Sequence, residues 1–165
     1  METLMPTRRG FLAAVVGLAL AKPSLAQNQA LVVYDDELKN GWQSWSWAKV
    51  DLTVPTGGAK PIKVQGEPWS ALALHHDAFS TAGYSKLTFT INGGAQGGQS
   101  LMIKAMVDGK PVDSSFVIQP KAKTWTQVEV PLKELIADGK TIDGICWQGQ
   151  ATAYSAYYIT RIQFE

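Results

Sequence analysis

Three observations predict an all-β fold for this chain: short runs of alternating apolar and polar residues, Gly- and Pro-rich breaks between them, and almost no helical periodicity. An antiparallel β-sandwich of the jelly-roll type, with about nine or ten strands in two sheets, is the natural solution for such a pattern. The alternation is clearest in Tyr84–Asn92, where Leu87, Phe89 and Ile91 face one way and Lys86, Thr88 and Thr90 the other.

The elements follow in order. Leu31–Tyr34 opens the sandwich, followed by the tryptophan-rich stretch Trp42–Trp47 and a short segment Leu52–Val54. Pro55-Thr56-Gly57-Gly58 breaks the chain before Pro61–Val64. Trp69–His75 places Trp69, Ala71, Ala73 and His75 on one face and Leu72 and Leu74 on the other. After Tyr84–Asn92, Gly93–Gly98 reads as a flexible connection into Ser100–Val107, and Asp108-Gly109 signals a hairpin into Val112–Gln119. Trp125–Val130 alternates, with Trp125 assigned to the core. Pro131–Ile136 reads as one or two helical turns with proline at the start. Ile142–Gln148 and Tyr157–Phe164 close the fold.

Residues 1–26 stand apart. Arg8-Arg9 precede an apolar run, Phe11–Ala21, that is shorter than the roughly 20 residues a membrane-spanning helix needs. Ser24-Leu25-Ala26 is a small-residue cleavage site, which predicts a signal peptide over 1–26 and a mature domain over 27–165 starting at Gln27. The paired arginines resemble a twin-arginine export signal, and Lys22 near the cleavage site fits that route. The expected location is therefore secreted or periplasmic, with no membrane insertion of the mature form.

Of 15 basic and 14 acidic side chains, the leader removes Arg8, Arg9, Lys22 and Glu2, so the mature domain is near neutral. Neutrality without a basic run argues against nucleic acid or an anionic membrane as partner. Cys146 is the only cysteine, which excludes an internal disulfide, and it reads as a small buried hydrophobe. The length fits one domain, taken to be a monomer.

Trp42, Trp45 and Trp47, interleaved with Gln43, Ser44 and Ser46, are the most informative residues. In a strand Trp45 and Trp47 share a face, so the cluster forms either half of a core or a flat platform of indoles beside hydrogen-bonding side chains. A second aromatic group, Tyr154, Tyr157 and Tyr158, follows Trp147-Gln148-Gly149-Gln150. Tyr154, in a loop of small residues, is the member expected to be exposed. The only histidines, His75 and His76, are adjacent and face opposite sides of a strand, so the pair does not chelate one metal. No nucleophile signature accompanies any serine or Cys146, and the acids fall at turns and strand edges.

Tyr34-Asp35-Asp36-Glu37-Leu38, the tryptophan-rich second segment, Tyr84–Phe89 with Ile91-Asn92-Gly93-Gly94, Trp125–Leu132 and Tyr157–Ile162 together resemble the β-sandwich carbohydrate-binding modules of the galactose-binding-like and jelly-roll group. The resemblance implies non-catalytic binding of a polysaccharide or oligosaccharide. Trp42, Trp45, Trp47, His75, Trp147, Gln148 and Tyr154 are the expected contact residues, since aromatic rings stack on sugar faces while amides address hydroxyl pairs. It also implies a structural calcium ion near Asp35, Asp36 and Glu37, although Arg161 stands where the family's second acid is expected. Two other readings compete: a small extracellular polysaccharide-active enzyme using a metal near His75 or His76, and an envelope protein-interaction domain.

Overall fold

The computed structural model describes residues 29–165, so the signal peptide, the twin-arginine pair and the cleavage site lie outside the described residues. Among the described residues twelve strands form two antiparallel sheets, as the alternation predicts. The first sheet has the order β10 (Trp125–Pro131), β6 (Lys86–Asn92), β12 (Tyr154–Phe164), β4 (Ile62–Gly66), β3 (Lys49–Asp51), and β1 (Leu31–Tyr34) pairs with the end of β12. The second has the order β2 (Gln43–Ser44), β5 (Ala71–Ser80), β11 (Thr141–Gly149), β7 (Leu101–Val107), β8 (Lys110–Pro111), with β9 (Val117–Ile118) also on β7. The count exceeds the expected nine or ten because β2, β3, β8 and β9 span only two or three residues, too few for alternation to register. The expected helical turn is a single 3-10 turn, Leu132–Leu135.

Apolar side chains from the facing sides of both sheets fill the interior. Leu87, Phe89 and Ile91 of β6 meet Leu72 and Leu74 of β5 and Ile145 and Trp147 of β11 in one buried cluster. Trp147 is fully buried, and its ring meets Phe89 edge-on at 5.3 Å. This corrects its assignment to the binding surface. Trp42 is likewise a core residue, 4% exposed and packed on Phe164 at 6.1 Å and Phe79 at 5.8 Å. The turn Asn40-Gly41, both residues at positive φ, brings Trp42 over the end of the sandwich before the chain becomes β2.

Trp125 departs in the opposite direction. The register Val130↔Leu87, Val128↔Phe89 puts the even-numbered residues of β10 toward the core. Trp125 therefore pairs with Asn92 on the outer face and is 43% exposed. Tyr157 is fully buried in the core.

Candidate functional site

The outer face of the second sheet is built differently from an ordinary solvated sheet face. Ala71, Ala73, Met106 and Cys146 form a small apolar cluster there, separate from the main core and almost without exposure. In register, Ala73 lies beside Cys146 and Cys146 beside the buried Lys104, so a closed floor crosses three central strands. Burial pushes the Cys146 thiol up to about 12, so at neutral pH it is a filler rather than a nucleophile.

The tryptophans lie over this floor. After β2 the chain continues along the edge of β5: the Trp45 N–H donates to the Ala73 carbonyl (2.9 Å) and the Trp47 N–H to the Ala71 carbonyl (3.1 Å). Ser46 fixes the segment between them, accepting the Ala73 N–H at 3.0 Å and donating to the Ala73 carbonyl at 3.3 Å. Trp45 and Trp47 are 50% and 46% exposed, as the platform reading expects. Trp69 joins them at 52% exposure.

Each indole is held in place. The Trp45 ring lies flat on the His75 imidazole, centroids 3.4 Å apart and planes within 5°. The edge of Trp45 reaches the Asp108-Gly109 turn, where a Cβ on Gly109 would sit 3.4 Å from the indole. His75 Nε2 is 3.7 Å from Asp143 Oδ2, which accepts the Gly109 N–H at 2.7 Å. Asp143 Oδ1 is buried with no protein partner. His75 thus acts by orienting Trp45, and Asp143 ties that stack to the hairpin.

Trp69 has φ +64°, a left-handed conformation that a bulky residue adopts only against strain. Its N–H donates to the Gln150 carbonyl at 2.9 Å. Its own carbonyl accepts the Trp47 indole N–H at 2.9 Å and the Gln148 side-chain amide at 3.0 Å. One backbone oxygen therefore links two tryptophans and Gln148. The Gln148 amide nitrogen holds the Trp69 backbone. Alternation puts Trp69 on this face, although it is not among the contact residues that the sequence suggests. The signal that could have found it is Glu67-Pro68-Trp69, a turn that ends in an aromatic residue just before a strand.

Tyr154 is half-buried rather than exposed, and burial raises its phenol while the Ser70 hydroxyl opposes that shift. Its hydroxyl donates to the Ser70 carbonyl (3.2 Å) and accepts from Ser70 Oγ (3.1 Å). The ring lies across Gly149, where a Cβ would come within 2.3 Å of it. With Trp47, Gln65 and Glu67 it lines a cleft of about 380 Å³ at one end of the tryptophan face. Lys104, absent from the sequence-derived contact residues, is buried at 7% exposure on the floor and pairs with Asp113 at 3.0 Å. Its strand neighbours are apolar, so alternation alone did not mark it.

The acids of the first turn do not converge on one point. Asp36 Oδ1 accepts the Lys60 N–H at 2.8 Å, and Glu37 pairs with Lys39, whose ammonium holds the Glu37 carboxyl below its ordinary range. Asp35 lines a cleft shared with Arg161. Among the described residues no group of three or more His, Cys, Asp or Glu side chains is arranged to hold a metal ion. The donor set as folded does not fit calcium. His75 and His76 diverge: His75 lies under Trp45, while His76 packs on Trp42 at 5.2 Å. No helix of the described residues is long and apolar enough to cross a membrane.

Solved structures resemble this chain in fold. CBM29-2, a family 29 carbohydrate-binding module, superposes in one variant with a TM-score of 0.63 at 14% identity, over 84% of this chain and 92% of the module. The two share a β-sandwich fold. A second variant of the same module, complexed with cellulohexaose, gives 0.61 at 15% identity, over 82% of this chain and 89% of the module. A third, complexed with mannohexaose, gives 0.61 at 14% identity, over 82% and 90%. By sequence, an endoglucanase of Dictyostelium discoideum is 28% identical over 149 residues, 83% of this chain. The chain spans only 21% of that relative's length. No family model matches the chain.

Proposed function

We propose that this domain is exported and binds a polysaccharide non-covalently, laying an extended glycan along β5 on Trp45, Trp47 and Trp69. The observation that carries the reading is the set of three half-exposed indoles over one sheet face, two of them joined through the Trp69 carbonyl. A sugar ring offers an apolar CH face and an equatorial belt of hydroxyls. The indoles meet the first, and Gln43 bonded to the Trp45 indole, Gln148 bonded to the Trp69 carbonyl and the Lys104–Asp113 pair on the floor are the polar groups offered to the second. Because the backbone anchors of Trp45, Trp47 and Trp69 step along one strand direction, the occupant is a linear chain with its rings in line rather than a compact monosaccharide.

The neighbours that hold cellulohexaose and mannohexaose make unbranched β-linked glucans and mannans the first substrates to test. The stretch shared with the endoglucanase is a minor part of that protein, which suits a binding domain better than a catalytic one. The buried Cys146 and the separated histidines give the enzymatic alternative no favourable observation. Export through a twin-arginine signal, with Gln27 as the mature start, places the domain where such glycans occur.

The test is retention of the protein on insoluble cellulose and mannan, with Trp47→Ala beside wild type. Retention of wild type and its loss in a normally melting variant support the proposal. Equal retention of both proteins would refute it.

A further inference from the structure

The outer face of the first sheet, on the other side of the sandwich, carries features that the tryptophan face does not explain. Trp125 is 43% exposed although it sits in a regular seven-residue strand. The registers place it beside Asn92, and Asn92 beside Tyr158. Two aromatic residues therefore stand on one face, two strand spacings or about 9–10 Å apart, with an amide between them. That separation matches alternate rings of an extended β-1,4-linked chain running across the strands. The next row, Gln127, Thr90 and Thr160, is uncharged and made of amide and hydroxyl groups. The Thr160 hydroxyl is buried without a protein partner.

Beyond that row lies a cleft of about 250 Å³, whose lining includes Thr88, Thr90, Gln127, Gln163, Asp35 and Arg161. Arg161 reaches it through an irregularity in β12. Alternation from Ile159 would carry residue 161 into the core. Instead the register shifts between Thr160 and Gln163, and Arg161 takes φ +52°. The extra residue keeps the guanidinium on the outer face and returns Ile162 and Phe164 to the core. Among the described residues Arg161 makes no ion pair, and it shares the cleft with Asp35. The Gln163 amide nitrogen already donates to Glu165, which leaves its carbonyl oxygen; with the Gln127 amide, the Arg161 guanidinium and the Asp35 carboxylate it forms a hydroxyl-binding set, and the neighbouring aromatics supply a place for a ring face.

We propose that this face is a second saccharide-binding surface for a neutral, hydroxyl-rich glycan, so that the domain holds one chain on each sheet and bridges two. This rests on the carbohydrate reading of the first face in the choice of ligand, while its residues are independent. One chain cannot lie on both outer faces with the sandwich between them. Two engaged faces therefore cross-link, and on an insoluble glycan they add avidity without new contacts.

Calorimetric titration of the full chain with cellulohexaose and with mannohexaose tests this in four proteins: wild type, Trp47→Ala, Trp125→Ala and the double variant. Two sites are expected in wild type, one in each single variant and none in the double variant, and only wild type should precipitate a soluble glucan or mannan. Gln127→Ala guards against misfolding of Trp125→Ala, and it should weaken the second site about fivefold with unchanged melting. A single site lost in Trp47→Ala, and unaffected by Trp125→Ala and Gln127→Ala, overturns the second surface and leaves the first. A site lost in Trp125→Ala and intact in Trp47→Ala upholds the second surface and overturns the first. Absence of any binding by wild type overturns both.

Discussion

Replacing Trp69 by glycine and by alanine separates what its side chain does from what its backbone costs. Both variants lose the 52%-exposed indole, so both lose its sugar contact equally. They differ in the strain at φ +64°. A residue with a Cβ in that region costs about 1–2 kcal/mol, which glycine avoids. Glycine in turn loses about 0.4–1 kcal/mol through the freedom it gains when unfolded. The balance leaves Trp69→Gly more stable than Trp69→Ala by about 1 kcal/mol, or roughly 4 °C in melting temperature for a domain of this size. Calorimetric melting and urea titration of the two proteins measure the difference, and glycan retention should be equally impaired in both. If Trp69→Ala melts at or above Trp69→Gly, the left-handed conformation does not persist in solution. The account of Trp69 as a strained anchor would then be wrong.

Two further outcomes follow from the packing. Trp147→Ala removes a fully buried ring against Phe89 and should cost about 3–5 kcal/mol, lowering the melting temperature by roughly 10 °C or more, whereas Trp47→Ala should melt nearly as wild type. Calcium should leave the melting temperature unchanged between chelator and millimolar ion, because Asp36 and Glu37 already bind Lys60 and Lys39; a rise would show that these acids rearrange around the ion.

The sequence and the structure agree where one face of a strand is buried and the other wet. Strand β6 is such a case, and its Leu87, Phe89 and Ile91 point inward as read. Agreement fails where both faces are covered. In Ile145-Cys146-Trp147 all three residues are buried, Ile145 and Trp147 by the core and Cys146 by the site floor. Alternation there carries no phase, and Trp147 was placed on the wrong side. Trp42 shared a sequence cluster with Trp45 and Trp47 but precedes the regular pairing along β5, so the turn at Asn40-Gly41 decides its position. The expectation of a core Trp125 runs against the phase of its own strand. The Trp45–His75 stack, the shared Trp69 carbonyl and the Lys104–Asp113 pair depend on residues far apart in sequence, and a single sequence does not register them.

The six indole N–H groups provide the most direct test of which tryptophans meet a glycan. Each gives its own proton–nitrogen NMR signal, assignable by single substitution, and all six can be followed while cellulohexaose or mannohexaose is added. The account predicts that the signals of Trp45, Trp47 and Trp69 move together with one binding curve, while those of the buried Trp42 and Trp147 stay still. Three unmoved signals from Trp45, Trp47 and Trp69, in a protein that demonstrably binds the sugar, would contradict the placement of the glycan on that face.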